Sequence, residues 1–253
     1  MSIIDLNEQN TCHEYYCDLL VVGAGVAGLV VADRFRGEGF TVDILETGGF
    51  TYEQASQDLN DAEMAGKYHA GTKDGRFRIY GGSTSRWGGQ LLTMMPSDFE
   101  SKAHMQGTGW PLKASELSPY LQASELLLGV DHLSYCTDFH NQLPSQVPPL
   151  SEPGLQNRFS KRASYRYRNM GRTLGGRCKA DSRTRVFLHA TATGIFLNEL
   201  GTSVDYVQVS SPNRQLFRFH GRQVVLAAGS IEICRLLLAS RNVLSNGVGH
   251  SSD

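Results

Sequence analysis

Three glycines and one acid form the clearest chemical pattern in the chain. Gly23, Gly25 and Gly28 follow the apolar run Leu19-Leu-Val-Val22 in the order Gly-x-Gly-x-x-Gly, and Glu46 closes the next apolar run, Thr41-Val-Asp-Ile-Leu-Glu46. Gly23 permits a tight turn, Gly25 lets a pyrophosphate approach the backbone, and Gly28 lets a helix pack closely on a strand. A helix opening at Val26 and Ala27 points unpaired N–H groups and a positive dipole end at phosphate oxygens. A carboxylate at position 46 can accept both hydroxyls of an adenosine ribose. The glycines alone are weak evidence; the strand before them, the helix after them and the acid at the usual distance make the pattern specific. It specifies a dinucleotide with an ADP half and does not by itself separate FAD from NAD. Thr47-Gly48-Gly49 stands where an arginine would serve a 2′-phosphate, which argues against NADP.

A second cluster reads Arg76-Phe-Arg78-Ile-Tyr-Gly81-Gly82-Ser83-Thr84-Ser85-Arg86-Trp87-Gly88-Gly89. So many glycines and hydroxyl residues exclude regular helix or strand. Glycines let the backbone lie against a flat or charged ligand, Ser83 and Thr84 can donate to phosphate oxygens, and Trp87 offers a packing surface. A plain surface loop is the competing reading.

The elements that would position these groups follow from periodicity. The pattern predicts a strand over 18–22, a helix over 26–37 and a strand over 41–46, then an irregular stretch to about 112. A helix is expected over 119–128, capped by Ser118 with Pro119 in its first turn and Gly129 at its end, burying Tyr120, Leu121, Leu127 and Leu128. Residues 131–158 are rich in Pro, Ser and Gln and read as loop. Residues 158–185 are strongly basic with Tyr165 and Tyr167 interleaved, either an anion patch or a face balanced by acids elsewhere. Alternating strands are expected over 186–189, 193–197, 203–209 and 215–219, forming a β-meander that returns to a strand at 222–227. Ala228-Gly229 then turns the chain into a helix over 231–240 capped by Ser230, with Glu232 suited to its first turn.

These blocks together resemble the glucose–methanol–choline family of FAD oxidoreductases. Gly81-Gly82-Ser83-Thr84 with Gly88-Gly89 is similar to the family's flavin loop. Asp98-Phe99-Glu100 and Thr108-Gly109-Trp110-Pro111 resemble its lead into the first substrate-domain helix, and Val224–Gly229 with Arg235–Ser240 its returning strand and helix. The Ser-x-x-x-Trp-Gly-Gly variant is most similar to bacterial members acting on sugars and polyols. The resemblance implies an α/β fold: an FAD-binding Rossmann-like parallel sheet with a β-meander, plus part of an incomplete substrate domain. It implies a tail over 1–17, FAD-binding segments over 18–112 and 186–253, and an insert over 113–185. It implies that FAD is bound by Gly23, Gly25, Val26, Ala27, Gly28, Glu46, Gly82, Ser83, Trp87, Gly88, Ala228 and Gly229, with the Ala192 backbone against the adenine. The implied chemistry is oxidation of a CH–OH group of a sugar, polyol or other alcohol, with hydride passing to flavin N5.

Two departures qualify this. Arg86 stands where some members carry the histidine that binds FAD covalently, so non-covalent FAD is expected. The family's catalytic histidine lies in a later segment than any matched here, which implies that the C-terminal catalytic half is absent or supplied by a complementing chain. None of the eight histidines sits in a matching motif. A flavin-binding remnant without turnover and an NAD-dependent dehydrogenase remain as alternatives.

Composition sets outer bounds. The 253 residues carry a net charge of −1, which gives no global case for nucleic acid. Cys12, Cys17, Cys136, Cys178 and Cys234 form an odd, scattered set, expected as free thiols in a reducing cytoplasm, with no metal site. No apolar run reaches membrane-spanning length and Met1–Asn10 carries no secretory pattern, so neither membrane nor export is expected.

Overall fold

The apolar run ahead of the first glycine becomes the centre of a seven-stranded sheet. The computed structural model describes residues 2–9, 13–102, 104, 109–136, 155 and 158–249. Cys12, Thr108, His140, His250 and most of the expected 131–158 loop lie outside the described residues. The strands are β1 (Ser2–Asp5), β2 (Glu14–Val22), β3 (Val42–Leu45), β4 (Gln90–Leu91), β5 (Lys161–Arg162), β6 (Thr184–Leu188), β7 (Thr191–Leu197), β8 (Val204–Ser210) and β9 (Leu216–Leu226). The helices are α1 (Val26–Phe35), α2 (Gln54–Asp58), α3 (Pro96–Phe99), α4 (Ala114–Leu128), α5 (Leu174–Ala180) and α6 (Ser230–Ala239). The chain divides into two units, residues 1–86 with 169–253, and residues 87–168.

In the first unit the strand order is β1-β6-β3-β2-β9-β8-β7, with β1 through β9 of that order parallel and the β9-β8-β7 pairs antiparallel. The order leaves β2 through α1 to β3 on one side, and β9 returns on the other. That reversal places a crevice outside the carboxyl ends of β2 and β9. Leu19, Leu20, Val21 and Val22 are each at most 5% exposed, so both faces of β2 are covered, as a continuous apolar run in a parallel sheet requires. Leu20, Val22, Leu45, Phe187, Phe217, Phe219 and Leu236 form the core of one face. The alternate residues Val21, Ile44 and Val186 are buried with Leu29 and Ala32 of α1. Helix α5 lies against α1, where Cys178 Sγ reaches the Leu29 carbonyl oxygen at 3.9 Å.

Several elements differ from the sequence expectation. Residues Ser2–Asp5, expected as tail, form a strand in register with Arg185–Leu188 of β6, and Leu6 behind it is fully buried. Strand β6 belongs to the parallel sheet and not to the meander, because it pairs with both β1 and β3. The two strands expected at 215–219 and 222–227 are one strand, β9. Gly221 lies flat against β2, where an added Cβ would stand 2.7 Å from Leu20 Cβ, so the chain runs through without turning. Helix α6 is capped by Gly229, with Ser230 inside the helix. Helix α5 was hidden in the basic run. That run is balanced by acids: Arg185 holds buried Asp43 with two bonds of 2.6 and 2.7 Å, and Arg177 pairs with Asp33 at 3.1 Å.

The second unit differs at α4. The helix starts at Ala114, because the Glu116 carboxylate accepts from the Lys113 N–H at 2.8 Å and closes the first turn there. Pro119 therefore sits inside the helix. Half of the expected buried face is turned outward, with Tyr120 66% and Leu121 39% exposed, while Leu127 and Leu128 are half-buried. Glu125 is turned inward instead, bonded to Lys161 Nζ at 2.7 Å and His132 Nδ1 at 2.9 Å, and Lys161 lies over the Tyr135 ring.

One ionic bridge ties β1 to the first unit. His189 follows β6 with φ +53, and its ring lies between two carboxylates, Nδ1 to Asp5 at 2.7 Å and Nε2 to Glu53 at 2.8 Å. A neutral imidazole carries one N–H, so two acceptors call for the imidazolium. Burial pushes the His189 pKa down, but Asp5 and Glu53 outweigh it and hold it above the usual value. A raised folded-state pKa gives stability that is complete below the unfolded pKa of about 6.5 and lost as pH rises through the folded value. The stability of the wild-type chain should fall by about 1–2 kcal/mol across that window, and His189→Gln should flatten the profile. Identical pH profiles in urea unfolding would remove this role.

Candidate functional site

The carboxyl ends of β2, β3 and β9 meet in a cleft of about 390 Å³ in the first unit, within the size range of small-ligand sites. The first glycine turn forms its floor. Gly23 has φ +107, its N–H donates to the Leu45 carbonyl at 2.8 Å, and an added Cβ would stand 2.7 Å from the Ala227 carbonyl oxygen. Gly28 is not part of the lining. It faces back onto β2, where an added Cβ would stand 2.0 Å from the Gly23 carbonyl oxygen. Gly25, Val26 and Ala27 do line the cleft.

Two helices open onto the same space. Gly25 caps α1 and Gly229 caps α6, neither with a side-chain bond to the first turn. Both helices run ten residues, and each leaves first-turn N–H groups and a positive dipole end at the cleft. Gly229 adopts φ +85, which lets the chain turn from β9 into α6, and nothing lies within 4 Å of a Cβ added there. Two peptide ends of this kind, with bare glycine between them, are a cradle for an anion.

The second glycine cluster docks on the first. The Gly81 N–H donates to the Ala24 carbonyl at 2.9 Å, and an added Cβ on Gly82 would stand 2.9 Å from Gly25 Cα. Gly82, Ser83 and Thr84 line the cleft. The hydroxyls expected for phosphate contact turn elsewhere, Ser83 Oγ donating to the Gly75 carbonyl at 2.8 Å and Thr84 Oγ1 to that of Gly81. Trp87 and Gly88 belong to the second unit, where the Trp87 indole N–H donates to the Arg168 carbonyl at 2.6 Å.

Glu46 stands at the end of β3 and 6% exposed. Its Oε2 accepts from the Ala24 N–H at 3.1 Å and its Oε1 from the Gly48 N–H at 3.0 Å. Burial pushes its carboxyl above the usual range, against the pull of the Gly48 and Ala24 amides. The acid therefore shapes the glycine turn, and each oxygen keeps a second lone pair for a hydroxyl donor. Glu46→Ala should strip two buried N–H groups of their acceptor and lower apo-chain stability by about 2–4 kcal/mol. Urea unfolding of the ligand-free chain checks this, and an unchanged midpoint would leave the acid with a ligand role alone.

Ala190, Ala192, Ala228, Leu226 and Ile233 supply an apolar wall. The lining also includes a charged group that the sequence reading did not assign: Arg76, Arg78, Glu232 and Arg235, with Asn60. A visible signal existed. Arg76 and Arg78 are two residues apart, and both side chains reach the same Glu232 oxygen. Their acidic partner lies more than 150 residues on, beyond the reach of local pattern. No histidine lines the cleft among the described residues, and these contain no cluster of side chains able to hold a metal ion. No helix among the described residues is long and apolar enough to cross a membrane.

No family model matches the chain. Among curated proteins it is 28% identical over 147 residues to amine oxidase [flavin-containing] B of Cavia porcellus, covering 54% of this chain and 26% of that protein. It is 30% identical over 129 residues to paromamine 6'-oxidase of Streptomyces fradiae, covering 45% of this chain and 23% of that protein. Among solved structures it matches formate oxidase with a TM-score of 0.59 at 19% identity, covering 91% of this chain and 48% of that one. FAD modification is described for the Aspergillus oryzae formate oxidase. Pyridoxine 4-oxidase from Mesorbium loti matches with a TM-score of 0.54 at 18% identity, covering 88% of this chain and 52% of that one. The chain thus spans about a quarter of the curated relatives and about half of the solved chains, and it shares the fold of the latter.

Proposed function

We propose that this chain, which has the flavin-oxidoreductase fold of the glucose–methanol–choline type, is the FAD-binding part of an oxidoreductase acting on a CH–OH group of a sugar, polyol or other small alcohol. The observation that carries the reading is the cradle itself: two glycine-capped helix N-termini and a carboxylate at the end of β3 around one cleft. The groups present fit the cofactor. First-turn N–H groups of α1, at Val26 and Ala27, suit its diphosphate, and bare Gly25 and Gly82 let it approach the backbone. The second lone pairs of Glu46 suit the ribose hydroxyls, and Ala190 with Ala192 gives the adenine an apolar surface. Bound FAD supplies two-electron redox chemistry, accepting hydride from a carbon that bears a hydroxyl. Arg86 lies over the rings of Tyr52 and Phe77 and offers no nucleophile for a covalent link.

Oxidation of an alcohol also needs a group that takes the hydroxyl proton. Both carboxylates that line the cleft are engaged, Glu46 by backbone amides and Glu232 by arginines. That observation favours a second reading, a flavin-binding remnant without turnover. Cys17, Cys136, Cys178 and Cys234 are free thiols, which suits a reducing compartment such as the cytoplasm.

The test is the absorption spectrum of the purified chain, before and after acid precipitation. A flavin spectrum whose colour passes to the supernatant is the expected result. Copurified NADH without flavin would overturn it. Anaerobic mixing with sugars and polyols then separates the two readings, since bleaching of the flavin band within seconds belongs only to a chain that turns over by itself.

A further inference from the structure

Two segments that line the cleft, the 76–78 strap and the start of α6, are joined by one carboxylate. Glu232, in the first turn of α6, accepts from Arg76 Nη2 at 2.9 Å and from Arg78 Nη2 at 3.0 Å through Oε1, and from Arg235 Nε at 2.9 Å through Oε2. Its side chain is 12% exposed, as is that of Arg78, and Arg76 is 22% exposed, so two of the three pairs are shielded from water. Burial pushes the Glu232 carboxyl up, but the arginines outweigh it and hold it below the usual range.

The strap that carries Arg76 and Arg78 is fixed on its far side by neutral groups. Gln57 Nε2 donates to the Arg76 carbonyl, and the Arg78 N–H donates back to Gln57 Oε1 at 3.2 Å. Arg78 Nε donates to Asn60 Oδ1 at 2.7 Å. The strap also runs hard against the loop after Glu46, where a Cβ added to Gly48 would stand 2.1 Å from the Arg78 carbonyl oxygen. Residues Arg76, Phe77 and Arg78 and residues Glu232, Ile233 and Leu236 all line the same cleft. The bonds from Glu232 to the strap therefore join two segments that border the space proposed for the ligand. Three guanidiniums on one carboxylate exceed what local charge balance needs, and a carboxylate in the first turn of α6 also subtracts from the positive field an anionic ligand would meet. A group that weakens the field while joining the two segments suits retention better than attraction.

We propose that Glu232 is a positioning residue that clasps the 76–78 strap to α6 at the edge of the cleft and sets the rate at which a bound dinucleotide leaves. This rests on the flavin reading of the cleft. The clasp is ionic and partly shielded, so it loosens as salt rises. Removing the charge on Glu232 leaves the strap held by Gln57, Asn60 and Gly48 on its own side and free of α6.

The experiment measures FAD dissociation from the full chain by stopped-flow trapping with excess apo-flavoprotein, over a series of sodium chloride concentrations. Glu232→Gln should release FAD about tenfold faster or more, the effect of losing one charge-assisted bond, and should show a flatter salt dependence than wild type. Glu232→Asp should recover most of the slow release. Arg76→Gln, which leaves the carboxylate two other partners, should fall between wild type and Glu232→Gln, and it serves alone if Glu232→Gln does not fold. Equal release rates and equal salt dependence in wild type and in the folded variants would overturn the clasp while leaving the cofactor reading intact. Failure of the wild-type chain to bind FAD at all would overturn the cofactor reading and the clasp with it.

Discussion

A valine at position 25 should leave the chain folded and empty of flavin. Gly25 has φ −74 and ψ −174, extended backbone that any residue adopts. The atom nearest to an added Cβ is the Ala227 carbonyl oxygen, 4.0 Å away, which is ordinary contact. The protein itself has no objection to the side chain. The methyl groups would project into the cleft beside the first N–H groups of α1 and opposite Gly82, in the space proposed for the diphosphate. The expected loss of FAD affinity is about 100-fold or more, roughly 3 kcal/mol. The flavin-to-protein ratio of the purified Gly25→Val variant measures it, with far-UV circular dichroism as the control for folding. Stoichiometric flavin in a folded variant would show that the turn has no ligand to hold.

Three positions further on, the opposite outcome is expected. Gly28→Ala should unfold the first unit whether or not a ligand is present. Its Cβ would stand 2.0 Å from the Gly23 carbonyl oxygen and 3.0 Å from Val21 Cγ1, and the first is backbone that cannot swing aside. Helix α1 would have to lift from β2, exposing Leu29 and Ala32, both fully buried. Overpacking a well-filled core costs about 1–3 kcal/mol, and a clash with backbone that also undoes helix packing should exceed about 4 kcal/mol. Against a total stability of roughly 5–15 kcal/mol, that leaves little. Expression in the insoluble fraction, or a urea midpoint far below wild type, is the expected reading. A midpoint equal to that of wild type would refute the packing role. The two glycines thus belong to one motif and should fail in different ways.

The difference between them was partly legible in the sequence. Strand β2, helix α1 and strand β3 follow from apolar runs and glycine spacing, because each is a local pattern. Helix α6 follows for the same reason, and the end of the meander in part, as two strands where the structure has the single β9. Strand β1 did not, since four residues with no alternation carry too little pattern, and its place depends on β6 some 180 residues later. Helix α4 shows the other limit. Its apolar residues suggested one buried face, but the contact between Glu125 and Lys161 decides which side turns inward, and no window along the helix contains that partner. The candidate site divides likewise. Its glycines and Glu46 were visible from type and spacing. The bond of Glu46 to Ala24, and those of Glu232 to the two arginines, exist only once separated segments meet.

The same remoteness sets a problem during synthesis. Strand β2 is paired on one side with β3, which emerges soon after it, and on the other with β9, whose residues Gln223–Leu226 pair with Leu19–Val22. About 200 residues separate those partners. At about 5–20 residues per second, a ribosome takes roughly 10–40 s to deliver the second neighbour. Through that interval the apolar run Leu19–Val22 presents a bare edge to its surroundings, the kind of surface that pairs with other chains. The yield of native protein in a cell should therefore depend on whether a chaperone shields β2 until β9 has been made.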